Sequence, residues 1–228
     1  MSDDEQSAAI QWSKEAVTPA CNLANFTKAH WESLQGSYGL LAKRLNLPKV
    51  QVPRLIVDSG STIVYDEIRD GVRHMAWCPS GIDLLTNIFP MLMRRGIAMN
   101  LPTKIDKNFM LELVATRDKA WMLWSAEGKG DALAHGESGV FRRLPSAIQI
   151  VYLIVWLISM MEDGRIQSDS VYPFKSKSIS ELQYVRSSTV NGEKVIGVAY
   201  LPWRAVLFEA FPVDNPPPNL VTPDIFLL

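Results

Sequence analysis

Cysteine and histidine are scarce in this chain of 228 residues, which contains two cysteines and three histidines. Cys21 and Cys78 lie in unrelated contexts, and the histidines lack the spacing that holds a zinc ion. We therefore expect free thiols, no metal site and no cofactor. The first six residues are acidic and polar, unlike the basic start of a secretory signal, so the sequence predicts a reducing, cytoplasmic location and no secretion.

An excess of positive charge is also lacking. The 23 lysines and arginines are balanced by 24 acidic residues, for a net charge of −1. Proteins that bind nucleic acid by neutralising phosphates usually carry a basic face, so no nucleic-acid partner is predicted. The longest apolar run, 147–161, is shorter than the roughly 20 residues that span a bilayer. It is predicted to be a central buried helix and not a transmembrane segment.

The remaining composition is that of a globular protein, with 47% hydrophobic and 21% charged residues. A chain of this length buries roughly 70% of its unfolded surface, so its core needs no disulfide or metal. We predict a single α+β domain over residues 21–211. An acidic arm, 1–20, precedes it, and an extended proline-rich arm, 212–228, follows it.

The N-terminal part of the domain shows helical spacing up to Pro48, and strand-like alternation follows. Three apolar segments separated by turn sequences then predict a β meander. These segments are 52–57, 62–68 and 72–78. Near the C-terminus, Asn191-Gly192 separates the apolar runs 182–190 and 194–200 and predicts a β-hairpin.

A helix is predicted between the meander and Gly96. Ser80 and Asp83 have the spacing of a capping box, and an apolar run with helical spacing follows them. Pro90 lies inside this run and is expected to kink the helix. Gly96 is a suitable C-terminal stop.

The pattern over 107–125 permits two structures. Two strands, 109–116 and 120–125, are favoured because apolar residues alternate with polar ones in the first of them. The alternative is one helix that starts after Asp106.

One motif has recognisable chemistry. An apolar run leads into Asp58-Ser59-Gly60-Ser61, and it resembles the active-site signature of pepsin-like and retroviral aspartic proteases. The resemblance implies that Asp58 is one of two carboxylates sharing a proton around a water, while the next three residues shape the loop. The motif occurs once, which implies a homodimer, and 195–197 imitates the later apolar-apolar-glycine stretch of the retroviral enzymes. A simple hairpin turn explains the same residues, and we favour it.

The function predicted from the remaining features is association. Seven tryptophans are many for this length, and Trp12 and Trp203, near the chain ends, are candidates for an interface. Residues 212–228 contain five prolines, so this arm is extended and is expected to dock on a neighbour. The predicted anchors at its end are Ile225, Phe226, Leu227 and Leu228.

The sequence thus predicts a non-enzymatic structural protein that self-associates through apolar surfaces and its C-terminal arm. Its partners would be other copies of the chain and other assembly proteins, as in a viral capsid or matrix layer. The alternative function is a homodimeric aspartic protease-like hydrolase that uses Asp58. The two hypotheses differ in what they need, because only the protease requires the Asp58 carboxylate.

Overall fold

The computed structural model of the chain describes residues 20–22, 28–53, 56–58, 73–114, 116, 118–125, 144–164, 174, 182–221 and 225–227. Its helices are α1 (Lys28–Leu45), a π-helical segment (Leu84–Ile88), α2 (Phe89–Arg94), α3 (Lys107–Val114) and α4 (Ala147–Glu162). Its strands are β1 (Ala20–Asn22), β2 (Ile56–Asp58), β3 (Arg73–Cys78), β4 (Ala98–Asn100), β5 (Ala120–Ser125), β6 (Tyr184–Asn191), β7 (Lys194–Leu201), β8 (Ala205–Pro212), β9 (Leu220–Val221) and β10 (Ile225–Leu227). Helices and mixed sheets in one chain confirm the predicted α+β class.

The central helix α4 organises the core. Ser146 caps its N-terminus: its hydroxyl accepts the Gln149 N–H at 3.4 Å, and the Gln149 side chain accepts the Ser146 N–H at 2.9 Å. Every residue from Ala147 to Met160 is buried. The predicted buried helix is therefore confirmed. In the described part of the chain, no helix is both long enough and apolar enough to cross a bilayer.

A five-stranded sheet packs against α4, with strand order β4-β8-β7-β6-β9. β6 and β7 form the predicted hairpin, and Gly192 in its turn has φ +65°, a conformation that glycine adopts without steric cost. Alternate residues of the sheet share the main core with α4: Val185, Ile196, Val198, Tyr200, Val206 and Phe208. The opposite face carries a second apolar cluster: Tyr184, Val195, Ala199 and Phe211.

Gly197 in the centre of β7 is required by close packing on this second face. A Cβ atom there would lie 2.7 Å from the Phe211 ring, 2.9 Å from Leu220 Cδ1 and 2.9 Å from Tyr184 Cβ. We expect Gly197→Ala to lower the free energy of unfolding by about 1–3 kcal/mol, because the three side chains must move apart. Urea denaturation measures this change. In the matched control Gly36→Ala, on the open surface of α1, stability should rise by about 0.5–1 kcal/mol; equal effects of the two substitutions would contradict the packing.

A separate three-stranded antiparallel sheet, β10-β5-β3, also contacts α4, through β3. Trp77 of β3 and Trp121 of β5 meet edge to face, with ring centroids 5.3 Å apart. The Tyr152 hydroxyl of α4 donates to the Trp77 carbonyl oxygen at 2.9 Å, which ties this sheet to the central helix. Because β10 belongs to this sheet, the C-terminal strand is part of its own chain's fold.

Arginine side chains join the helix ends around α4. The Arg44 guanidinium of α1 donates to the Asp163 carboxylate at 2.7 Å, and Arg95 makes two bonds to Glu162, at 2.5 and 2.6 Å. These groups are only half-buried, so each pair contributes about 0–1 kcal/mol. They fix the relative positions of the helices more than they stabilise the fold.

One detail of the predicted helix before Gly96 is wrong, and the expected kink at Pro90 stays a prediction. Asp83, and not Ser80, is the N-cap: its carboxylate accepts the Leu85 N–H at 2.7 Å and the Thr86 N–H at 3.0 Å. Pro90 lies in the first turn of α2, where its missing N–H is tolerated. The helix therefore changes from π to α geometry just before Pro90.

The expectation of a strand over 109–116 is also wrong. Residues 107–114 form α3, with the Asp106 carboxylate accepting the Phe109 N–H at 2.7 Å as an N-cap. The second half, 120–125, is a strand as predicted. Neither predicted structure for the whole segment is therefore right.

The predicted meander is tested only at its ends. Residues 51–53 are not in a strand; the strand Ile56–Asp58 pairs with Ala20–Asn22, and Arg73–Cys78 pairs with β5. The middle segment, 62–68, lies outside the described residues.

Candidate interaction surfaces

The protease-like motif is only partly described. Asp58 is the last residue of β2 and pairs with Ala20 of β1. Its side chain, and all of Ser59, Gly60 and Ser61, lie outside the described residues. The catalytic role of Asp58 therefore stays a prediction.

The stretch 195–197, which imitates a second protease element, has a structural explanation. It lies within β7, in the middle of the five-stranded sheet, with the Val195 side chain buried on one face and Ile196 on the other. Glycine is needed at position 197 because a Cβ atom there would lie 2.7 Å from the Phe211 ring and 2.9 Å from Tyr184 Cβ. These residues thus serve packing.

Cys78 is unsuited to nucleophilic chemistry. It is fully buried at the end of β3, and this burial raises the pKa of its thiol far above the ordinary value. A thiol that stays protonated is a weak nucleophile and a poor metal ligand. Among the described residues, no cluster of three or more histidine, cysteine or acidic side chains is placed to hold a metal ion.

Trp203 stands out at the turn between β7 and β8. Its side chain is 47% exposed, and its backbone has φ +58°, a left-handed conformation that is rare for a bulky residue. The turn is held by neighbours: the Trp203 N–H donates to the Tyr200 hydroxyl at 3.1 Å, and the Arg204 N–H to the Leu201 carbonyl at 3.0 Å. A strained backbone thus presents a large aromatic side chain to solvent. Trp12, the other candidate tryptophan, lies outside the described residues.

Helix α3 is apolar on both sides. Phe109 and Leu113 face the core, at 0% and 3% exposure. Met110, Leu111 and Val114 lie on the opposite side and are exposed by 46%, 46% and 45%. A helix in water usually carries polar residues on its outer side. We call these three residues the α3 face.

The elements that contact α3 extend this apolar character. The π-helical segment and β6 both contact α3, and each has a large exposed apolar residue, Leu85 at 52% and Val190 at 43%. Isolated apolar side chains are ordinary on protein surfaces, but several on adjacent elements are typical of an interaction site.

Polar contacts hold α3 in a fixed position. Glu112 on the helix accepts a hydrogen bond from the Thr189 hydroxyl of β6, and that hydroxyl accepts the Ala147 N–H of α4 at 2.8 Å. Backbone N–H groups, first of all those of Phe109 and Gly192, lower the pKa of Asp106 at the helix start. Helix α3 is therefore tied directly to β6 and, through the Thr189 hydroxyl, to α4.

The C-terminal residues contact their own chain. Ile225, Phe226 and Leu227 pair with Trp124, Leu123 and Met122 of β5, respectively. Leu227 is 5% exposed and belongs to the main core. In the single chain this end is therefore a strand of the domain's own sheet. Nothing is described of Leu228 or of the side chains of Ile225 and Phe226.

The sequence pattern singled out Trp203 but not the α3 face. The sequence does contain a signal for this helix. Asp106 precedes Phe109 by three residues, as an N-cap does, and residues 109–111, 113 and 114 are all apolar, so a helix over them has apolar residues on both sides. Comparisons with protein-family models, with curated proteins and with solved structures find no match for the chain.

Proposed function

We propose that the protein is a non-enzymatic assembly protein whose copies associate through the α3 face. The observation that carries this proposal is the exposure of Met110, Leu111 and Val114 on a helix whose other side is in the core. Covering such a face removes apolar surface from water at about 25 cal/mol for each Å². Methionine and large apolar residues are also enriched at interface cores.

A second copy of the same chain is the partner that we favour. The net charge of −1 means that identical molecules repel one another only weakly. A two-fold axis through α3 would place each face against its own copy, and two-fold dimers are the commonest oligomers. Trp203, exposed on a separate turn, would supply a further contact for larger assemblies, since tryptophan is frequent at the centres of interfaces. A structural layer or shell, such as a viral capsid or matrix, is built from contacts of this kind.

In this proposal the C-terminal arm has a different part from the one that its composition predicts. Because β10 pairs with β5 of its own chain, it joins two copies only if each copy's β10 replaces the other's, as in domain swapping. The proposal therefore rests on the α3 face first.

Leu111→Glu tests the α3 face. A carboxylate in the centre of the apolar contact should weaken association at least about tenfold, because it loses water without gaining a partner. Sedimentation velocity over a concentration series measures the change. In the control, Val50→Glu adds the same charge at an exposed apolar position outside the α3 face, and it should leave association unchanged. Equal association of the two folded variants would contradict the proposal.

A further inference from the structure

A slot runs beside the edge of β8 that faces away from β7. β4 pairs with only the first part of this edge, from Ala98↔Ala205 to Asn100↔Leu207, whereas β8 continues to Pro212. The chain then diverges from β8 as the segment 101–106, and among the described residues no strand takes the place of β4. A cavity of about 840 Å³ lies between the two.

The segment 101–106, which forms the wall of the slot opposite β8, is fixed in place. The Asp106 N–H donates to Asn191 Oδ1 at 2.8 Å, and Asn191 Nδ2 donates to the Lys104 carbonyl oxygen at 2.7 Å. The Gly192 N–H donates to Asp106 Oδ2 at 2.5 Å. Three bonds thus attach the segment 101–106 to the β6–β7 turn. The cavity is therefore formed before any ligand arrives, and its volume is typical of a binding site.

The other wall of the slot is β8 itself. Residues 207–210 of β8 line the cavity, and from Phe208 onward this edge of the strand has no partner among the described residues. A strand edge offers a row of N–H and C=O groups, and an extended peptide satisfies them by adding one more strand. The slot is lined on both sides, so an added strand would lie between β8 and the segment 101–106.

Two lysines at one end of the slot make its two ends different. Lys104 and Lys194 line it near the β6–β7 turn, and both are exposed. The two carboxylates in the lining are already engaged: Asp106 accepts backbone N–H groups, and Glu209 forms a hydrogen bond with Tyr184, whose pKa rises to about 12 through burial first and Glu209 second. Lys104 and Lys194 are therefore the positive charges of the lining that can attract a carboxylate.

We propose that this slot binds an extended peptide as an added strand on β8, with a carboxylate at the end where Lys104 and Lys194 lie. Backbone pairing supplies the affinity, and the two lysines set the direction of the peptide. This peptide site is distinct from the α3 face and does not depend on self-association.

The test uses the full chain and a synthetic peptide that alternates threonine and valine, which favour strands, and ends in a free aspartate. We expect saturable binding, with NMR amide shifts and slowed hydrogen exchange concentrated in 207–210. The double variant Lys104→Glu/Lys194→Glu should weaken binding at least about tenfold. The matched double variant Lys43→Glu/Lys49→Glu, at exposed positions elsewhere, should bind as the wild type does.

Three results would overturn the inference. They are the absence of saturable binding, amide shifts centred away from β8, and equal weakening by the two double variants. A second peptide, ending in an asparagine amide in place of the aspartate, checks the charge directly. It should bind the wild type more weakly than the first peptide, and the Lys104→Glu/Lys194→Glu variant should lose this preference; a preference that survives in the variant would also contradict the proposal.

Discussion

Replacing Val151 with aspartate is expected to abolish soluble folding. Val151 is fully buried in α4, and its neighbours along the helix are buried as well. An unpaired charge in such surroundings costs several kcal/mol, which is comparable with the whole stability of a domain. Expression at low temperature, followed by circular dichroism of any soluble fraction, measures the effect.

Val50→Asp is the matched control, because it makes the same change at an exposed position outside the α3 face. This variant should fold with a thermal midpoint close to that of the wild type. A folded Val151→Asp protein with native ellipticity would contradict the central position of α4.

Deleting residues 222–228 is expected to destabilise the domain. The deletion removes β10 from its place beside β5 and takes the buried Leu227 side chain out of the core. We expect a loss of about 2–5 kcal/mol, similar to a large-to-small core substitution. The thermal midpoint should fall by about 2–4 °C for each kcal/mol.

Val213→Ala is the control for the tail. Val213 lies in the same C-terminal segment but is 44% exposed, so its truncation should change stability by less than about 0.5 kcal/mol. An arm that served only to join copies would give the opposite result for the deletion: reduced association with an unchanged thermal midpoint.

The parts of the fold that the sequence predicts well have strong local signals. α4 follows from a long apolar run behind Pro145-Ser146, where the run itself demands burial and the serine caps the helix. The β6–β7 hairpin follows from Asn191-Gly192, because few residues other than glycine adopt the required left-handed turn. In both cases local chemistry and tertiary packing favour the same structure.

A helix starting after Asp106 was only the less favoured alternative, because the apolar residues of α3 occur on both of its sides. Leu111 and Leu113 alternate with Glu112 as in a half-buried strand, and a helix that exposes apolar residues does not show the expected polar face. The Asp106 cap was the stronger signal, but it is a single residue. The failure of the pattern at α3 coincides with the surface that we propose for association, as expected where binding overrides the usual helix pattern.

The C-terminal arm shows a different limit of prediction from sequence. Its prolines predict an extended segment, whereas the described residues 213–219 include bends and a turn; its apolar end predicts that something must cover it, and Leu227 is buried. Composition does not say whether the cover comes from the same chain or from another. The pairing of Leu227 with Met122 of β5 is a long-range contact that no local pattern contains.

The molar mass of the 228-residue chain in solution tests the central claim most directly. Multi-angle light scattering after size-exclusion chromatography, over a range of loading concentrations, measures it. Association predicts a mass that rises with concentration towards a multiple of the 25.6 kDa chain and that stays lower for Leu111→Glu than for Val50→Glu. A mass of 25.6 kDa at every concentration would contradict the claim.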